Sequence, residues 1–128
     1  MNYIMNKNSI CYVDGVLIDK TINKYILELS IPYFKNIKSM RDTVKHILNI
    51  KRNIPLYINK FILLVPITSG KVTYYINFIN VIDTYTKLKM TTIIFRDKTY
   101  LNLNISKRII ERMMSNKEKL CDYISLIE

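Results

Sequence analysis

Residues Thr91 to Ile105 hold the pattern that most constrains this chain. Two β-rich runs, Thr92–Arg96 and Thr99–Ile105, flank the step Asp97-Lys98. In the second run Leu101, Leu103 and Ile105 alternate with Asn102 and Asn104. A period of two puts one face of a strand against a core and the other in water. The stretch therefore predicts a half-buried β-hairpin. Asp14-Gly15, between Ile10–Val13 and Val16–Ile18, predicts a second one, because a two-residue turn of this kind needs positive φ. Gly15 and Gly70 are the only glycines in the sequence, and both read as turn positions.

Further strands are expected at Leu56-Tyr57-Ile58 and Phe61–Val65, joined around Asn59-Lys60, and at Val72–Phe78 and Asn80–Asp83. Thr68-Ser69-Gly70-Lys71 reads as a turn, while residues 22–29 fit either a strand or the start of a helix. Pro32 suits a first helical turn. After it Phe34, Ile37, Val44, Ile47 and Leu48 recur at helical spacing with Met40 nearby, predicting an amphipathic helix near 33–49. Ser106 is a candidate N-cap for a closing helix near 106–126. Its apolar stripe runs through Ile109, Ile110, Met113, Met114, Leu120, Cys121, Ile124 and Ile127. Strands followed by a helix predict an α+β fold, antiparallel and β-rich, as a single domain over residues 1–128.

Charge is unevenly spread. The formal net charge is +10, but Ile, Lys, Asn and Tyr, all with AT-rich codons, make up 61 of 128 residues. The lysine total alone is therefore a weak signal, and its placement says more. Residues 1–30 balance to zero, whereas residues 31–60 carry Lys35, Lys38, Arg41, Lys45, Lys51, Arg52 and Lys60 against Asp42 alone. Lys38, Arg41 and Lys45, three and four apart, form one stripe on the outer side of the 33–49 helix. A concentrated positive field favours polyanions, meaning nucleic acid or an anionic membrane surface.

Catalysis finds little support. His46, the sole histidine, sits on the basic helix without an obvious carboxylate partner, so a Ser/His/Asp or Cys/His arrangement has nothing to build on. Two isolated glycines cannot make a phosphate-binding loop. Scattered acids give no metal cluster, and no cofactor is expected. Cys11 and Cys121 lack any paired spacing and read as reduced core thiols. The N-terminus lacks the layout of a signal peptide, and the dense apolar run Phe61–Ile67 is far short of a bilayer span, so a cytoplasmic location is expected. Tyr57, Tyr74 and Tyr75 interleave with basic residues, as on a platform for unpaired bases, but core packing explains them more simply. Met113-Met114 reads as core filler rather than a partner groove.

A series of landmarks in fixed order spans about residues 28–117. Ser30, Tyr33-Phe34, Ser39 and Arg41 come first, then Ile54-Pro55-Leu56-Tyr57-Ile58 and Leu64-Val65-Pro66-Ile67-Thr68-Ser69. Tyr75-Ile76-Asn77 with Val81-Ile82 follows, then Thr92–Lys98 leading into Leu101–Ser106. In this order they resemble the ComK family of competence transcription factors. Val65 and Tyr75 stand at the aromatic positions of that family's Phe-Pro-Thr and Trp-Ile motifs, and Asp97-Lys98 where its hairpin turn is usually Asn-Gly. The hairpin-then-helix region, with Tyr74–Asn77, is also similar to LytTR-type DNA-binding domains. Longer ComK members continue past the closing helix into a tail, so control through such a tail is not expected here.

The resemblance implies a regulator that binds AT-rich double-stranded DNA as a homodimer with minor-groove contact, and it brings in RNA polymerase as a further partner. Physically, Lys35, Lys38, Lys45, Lys51 and Lys60 are candidates for phosphate contact, which positions a protein without reading sequence. Arg41, Arg52 and Arg108 are candidates for a narrow A-tract groove, where the negative potential is enhanced. Lys71 extends the set, and Ser69 and Asn77 are candidate polar readers. The rival expectation is a protein-interaction module or inhibitor that acts on a DNA-binding partner without touching DNA. A peripheral membrane role is disfavoured, because the apolar face of the 33–49 helix is needed for the core.

Overall fold

The computed structural model describes residues 1–33 and 35–127, with side chains through Ser125. Three strands open the chain: β1 (Tyr3–Lys7), β2 (Ile10–Val13) and β3 (Val16–Ile18). Helices α1 (Ile22–Ser30) and α2 (Ile37–Leu48) follow, separated by a 3-10 turn at Ile31–Tyr33. Then come β4 (Leu56–Asn59), β5 (Ile62–Ser69) and β6 (Val72–Asn77), and a short 3-10 turn at Phe78–Asn80. The chain closes with β7 (Val81–Lys87), β8 (Met90–Phe95), β9 (Tyr100–Leu103) and α3 (Lys107–Ile127). The strands make a six-stranded sheet in the order β3-β2-β1-β6-β5-β4 and a three-stranded sheet β7-β8-β9. Every pairing is antiparallel, so the expected α+β, β-rich architecture is the one observed.

The larger sheet is covered on both faces, and strand alternation sorts its side chains. Leu63, Val65 and Ile67 of β5 and Ile76 of β6 point into a core shared with Ile93, Phe95 and Leu103 of the smaller sheet and Ile110, Met113 and Leu120 of α3. Leu64 of β5, Leu56 and Ile58 of β4 and Ile4 of β1 point the other way, toward Ile26 of α1. Strands buried on both faces lose the apolar–polar alternation that marks a half-exposed strand. Strand β1 escaped the sequence analysis for a different reason: its five residues, of which only Ile4 is fully buried, are too few to show a period, although it lies near the middle of its sheet. Tyr57, Tyr74 and Tyr75 are half-buried against these two cores, as the packing explanation expects. Cys11 is a buried free thiol and Cys121 a half-buried one; burial raises both pKa values.

Helix α2 lies beside edge strand β4 and joins the two cores, with Met40 in one and Val44 and Leu48 in the other. It is shorter than the 33–49 expected. Asn36 is the N-cap, its Oδ1 accepting from the Ser39 N–H at 3.1 Å, and Asn49 ends the helix in the left-handed region at φ 53°. Pro32 therefore belongs to the preceding 3-10 turn, and Phe34 lies outside the described residues. Residues 22–29 resolve as a helix because Thr21 caps it, accepting from the Lys24 N–H at 3.2 Å. Ser106 caps α3 as expected, accepting from Ile109 N–H at 3.3 Å; the side chain of Ile127 lies outside the described set.

Turn chemistry accounts for the remaining differences. Asp14 and Gly15 both take positive φ, 50° and 84°, and close the β2–β3 hairpin as a two-residue turn. The second hairpin has a three-residue loop, Arg96-Asp97-Lys98, rather than a two-residue one. Lys98 takes φ 69°, its N–H donates to Phe95 O at 2.9 Å, and Phe95 N–H donates to Thr99 O at 2.9 Å. Hydrogen bonds from the Thr99 hydroxyl and N–H, and then from Asn2, hold the Asp97 carboxyl below the usual carboxylate range. Strand β5 runs on through Pro66 to Ser69 because β4 pairs only with Ile62, Leu63 and Leu64. Beyond them one side of β5 has no neighbour, and a proline there costs no ladder bond. The run expected at Asn80–Asp83 is the start of β7, which extends to Lys87.

One side chain stitches these parts together. Asn77 is 1% exposed. Its Oδ1 accepts from the N–H groups of Leu63 at 3.0 Å and Ile79 at 3.3 Å, and its Nδ2 donates to the carbonyls of Met1 and Phe61, both at 3.0 Å. Asn80 also donates to Met1 O at 3.0 Å, and Asn2 reaches Asp97 at 3.0 Å and Thr99 at 3.1 Å. Leaving a buried partner unsatisfied costs about 1–3 kcal/mol per group. Asn77→Ala is therefore expected to lower unfolding free energy by about 3 kcal/mol or more, read from the urea midpoint.

Candidate nucleic-acid interface

Helix α2 turns its flanks to two different surfaces. On one flank Lys38, Arg41 and Lys45 meet Lys51 around a shallow depression of ≈ 530 Å³, with Asn23 and Asp42 on its rim. The i, i+3 and i+4 spacings put the three helical cations on one side, as the sequence predicts. Lys51 joins them because Asn49, in the left-handed region, turns the chain back from the helix end. Lys51 also lines a second depression of ≈ 400 Å³ with Arg52, Asn53, Arg112 and Asn116. The two hollows thus share a wall, and a basic face runs from α2 across residues 51–52 to α3.

From Arg112 the face continues along α3. Arg108 lies one helical turn earlier on the same side and is exposed. Near the start of α3 the chain is tied to both sheets: Thr91 Oγ donates to Ile105 O at 2.9 Å, and Ser69 Oγ accepts from Asn104 N–H at 3.1 Å. These bonds bring the β5–β6 turn with Lys71 and the β7–β8 hairpin with Lys87 and Lys89 to the same end of the molecule as Lys107 and Arg108. Among the described residues the ion pairs are Lys20–Glu28 and the exposed Lys107–Glu111 at 3.8 Å. Lys38, Arg41, Lys45, Lys51, Arg52 and Arg112 take part in neither.

The other expected site residues sit elsewhere. Lys35 lies on the opposite flank of α2, its Nζ 5.8 Å from the centre of the Tyr57 ring. There it borders an apolar groove of ≈ 410 Å³ whose walls include Met40, Ile47, Leu120, Tyr123 and Ile124. Lys60 is at the β4–β5 turn, 5.1 Å from the centre of the exposed Phe61 ring. Ser69 is half-buried, with its oxygen bonded to Asn104. Asn77 is interior and its amide is fully committed, so its place in the sequence pattern reflects architecture rather than a surface contact. His46 is exposed near the end of α2.

Arg112, Lys87, Lys89 and Lys107 were missed by sequence reasoning. The Arg108–Arg112 spacing was a usable signal, whereas the approach of the β7–β8 hairpin to α3 depends on tertiary bonds. Lys117 is a cation of another kind: its Nζ donates to Phe78 O at 2.8 Å, and burial lowers its pKa. Among the described residues no group of His, Cys, Asp or Glu could hold a metal ion, and no helix is long and apolar enough to cross a membrane.

Fold and surface together define a small antiparallel α+β protein with a continuous basic face. The sequence model of the family described as ComK protein matches residues 3–125, and the chain belongs to that family of competence transcription factors. The match extends well past residues 28–117 at both ends. It takes in β1–β3, α1 and most of α3. No curated protein and no solved structure matches the chain significantly.

Since no ion pair anchors them, Lys38, Arg41 and Lys45 contribute charge rather than packing. Replacing all three by Ala is expected to move the thermal midpoint by no more than a few degrees, measured by circular dichroism. A large drop would mean that the stripe is structural.

Proposed function

We propose that the chain is a competence regulator that grips double-stranded DNA with the face running from Lys38 to Arg108. The observation that carries this reading is the gathering of Lys38, Arg41, Lys45, Lys51, Arg52 and Arg112 around two adjoining hollows, outside any ion pair among the described residues. Cations lodged together in this way repel one another, and a polyanion relieves that repulsion while releasing its own counterions. Lysines would hold phosphates, and Arg41, Arg52, Arg108 and Arg112 would suit the narrow minor groove of AT-rich sites. A homodimer would double the contact area and fit paired half-sites. The setting is the cytoplasm, where RNA polymerase is a further partner. Lys35, Lys60 and Lys71 are outlying phosphate contacts in this reading, and Ser69 and Asn77 take no part in it.

A second reading draws on the apolar groove between α2 and the far end of α3. In it the chain modulates a DNA-binding partner without binding DNA itself. Titration of an AT-rich and a GC-rich duplex across a salt series separates the two. With about six phosphates neutralised, affinity should fall about 10³-fold between about 50 and 200 mM salt, and the AT-rich duplex should bind more tightly. Alanine at Lys38, Arg41 and Lys45 should reduce the slope of log K against log salt by about three. Affinity that barely responds to salt contradicts the DNA reading. A stoichiometric complex with another protein and no duplex shift favours the second.

A further inference from the structure

We propose that the β7–β8 hairpin is a wedge that inserts Leu88 between neighbouring base steps of the duplex held by the basic face. Leu88 is 92% exposed, more than any other large apolar side chain described, and it caps a tip closed by the Lys87–Met90 pair. It also takes φ 59°, a left-handed conformation that leucine adopts at a cost and that Asn or Gly would take readily. Hydration and backbone geometry both argue against leucine here, so stability does not account for it.

The surroundings point to the occupant. Lys87 and Lys89 flank the tip, and the bonds joining Thr91 to Ile105 and Asn104 to Ser69 bring Lys107, Arg108 and Lys71 to the same end. The Thr86 and Thr91 hydroxyls, 2.8 Å apart, brace the ribbon just behind the turn. An apolar tip flanked by two lysines, with further cations at the same end, matches a nucleic acid duplex: phosphates on the outside, and an apolar stack reachable through a groove. Side chains of this kind part a base step and kink the helix, at a cost offset by wider contact with the bent DNA. Pyrimidine–purine steps, which open most easily, are the expected targets.

The proposal rests on the duplex-binding reading, and its test keeps the two apart. The probe is an AT-rich duplex with 2-aminopurine at a central TA step, whose fluorescence rises on unstacking, with dyes at its ends to report bending by energy transfer. Wild type should brighten the base and shorten the end-to-end distance. Leu88→Asn, suited to the left-handed turn, should keep the thermal midpoint and the salt slope and change affinity by no more than about tenfold, yet leave the base dark and the duplex straight. Lys87→Ala with Lys89→Ala should do the reverse, lowering the salt slope and retaining the brightening. Salt-dependent binding by wild type without brightening, or brightening equal in Leu88→Asn, overturns the wedge and leaves duplex binding standing. Wild type that ignores the duplex overturns both, and Leu88-dependent flotation with phosphatidylserine vesicles in its place would assign the tip to a membrane surface.

Discussion

The side-chain amide of Asn77 is the point on which the rest of the molecule turns. It stands where β6 ends and the chain leaves the six-stranded sheet for the three-stranded one. Its four hydrogen bonds hold the start of β5, the N-terminal residues and the 3-10 turn that redirects the chain. An amide can serve all of these at once because it offers two donors and an acceptor with two lone pairs. Asn80 and Asn2 extend the network to the Arg96–Lys98 loop. The two sheets are thereby locked at one end, which fixes the line along which α3 crosses their shared core.

The basic face follows from that line. Helix α3 presents Arg112 beside Lys51 and Arg52 because Ile110, Met113 and Leu120 are fixed between the sheets. In the same way Met40, Val44 and Leu48 hold α2 across two cores, leaving Lys38, Arg41 and Lys45 on an open flank. The cations need no partners of their own. Their mutual repulsion is tolerated because apolar burial elsewhere fixes the backbone, and in the proposed reading a polyanion relieves it.

Much of this was legible in the sequence wherever a local rule governs. Asp14-Gly15 announced its turn through positive φ, Ser106 its helix through a capping hydroxyl, and Leu101–Ile105 its strand through alternation. Where tertiary structure decides, local patterns fell short. Strand β1 is short, with only Ile4 fully buried, and shows no period, and β5 tolerates Pro66 only because β4 stops short of it. The Lys38–Arg41–Lys45 stripe could be read from helical spacing, but its junction with Arg112 could not, since 60 or more residues separate them. Asn77 is a candidate polar reader from sequence because a polar residue in a strand looks the same whether it faces a ligand or a buried junction.

Lysine footprinting by mass spectrometry, with and without an AT-rich duplex, tests directly whether this face is the one that meets DNA. Acetylation of Lys38, Lys45 and Lys51 should be suppressed by the duplex, while Lys20, paired with Glu28 and outside both basic hollows, stays as reactive as in the free protein. Protection of Lys20 with Lys38, Lys45 and Lys51 unchanged would contradict the account.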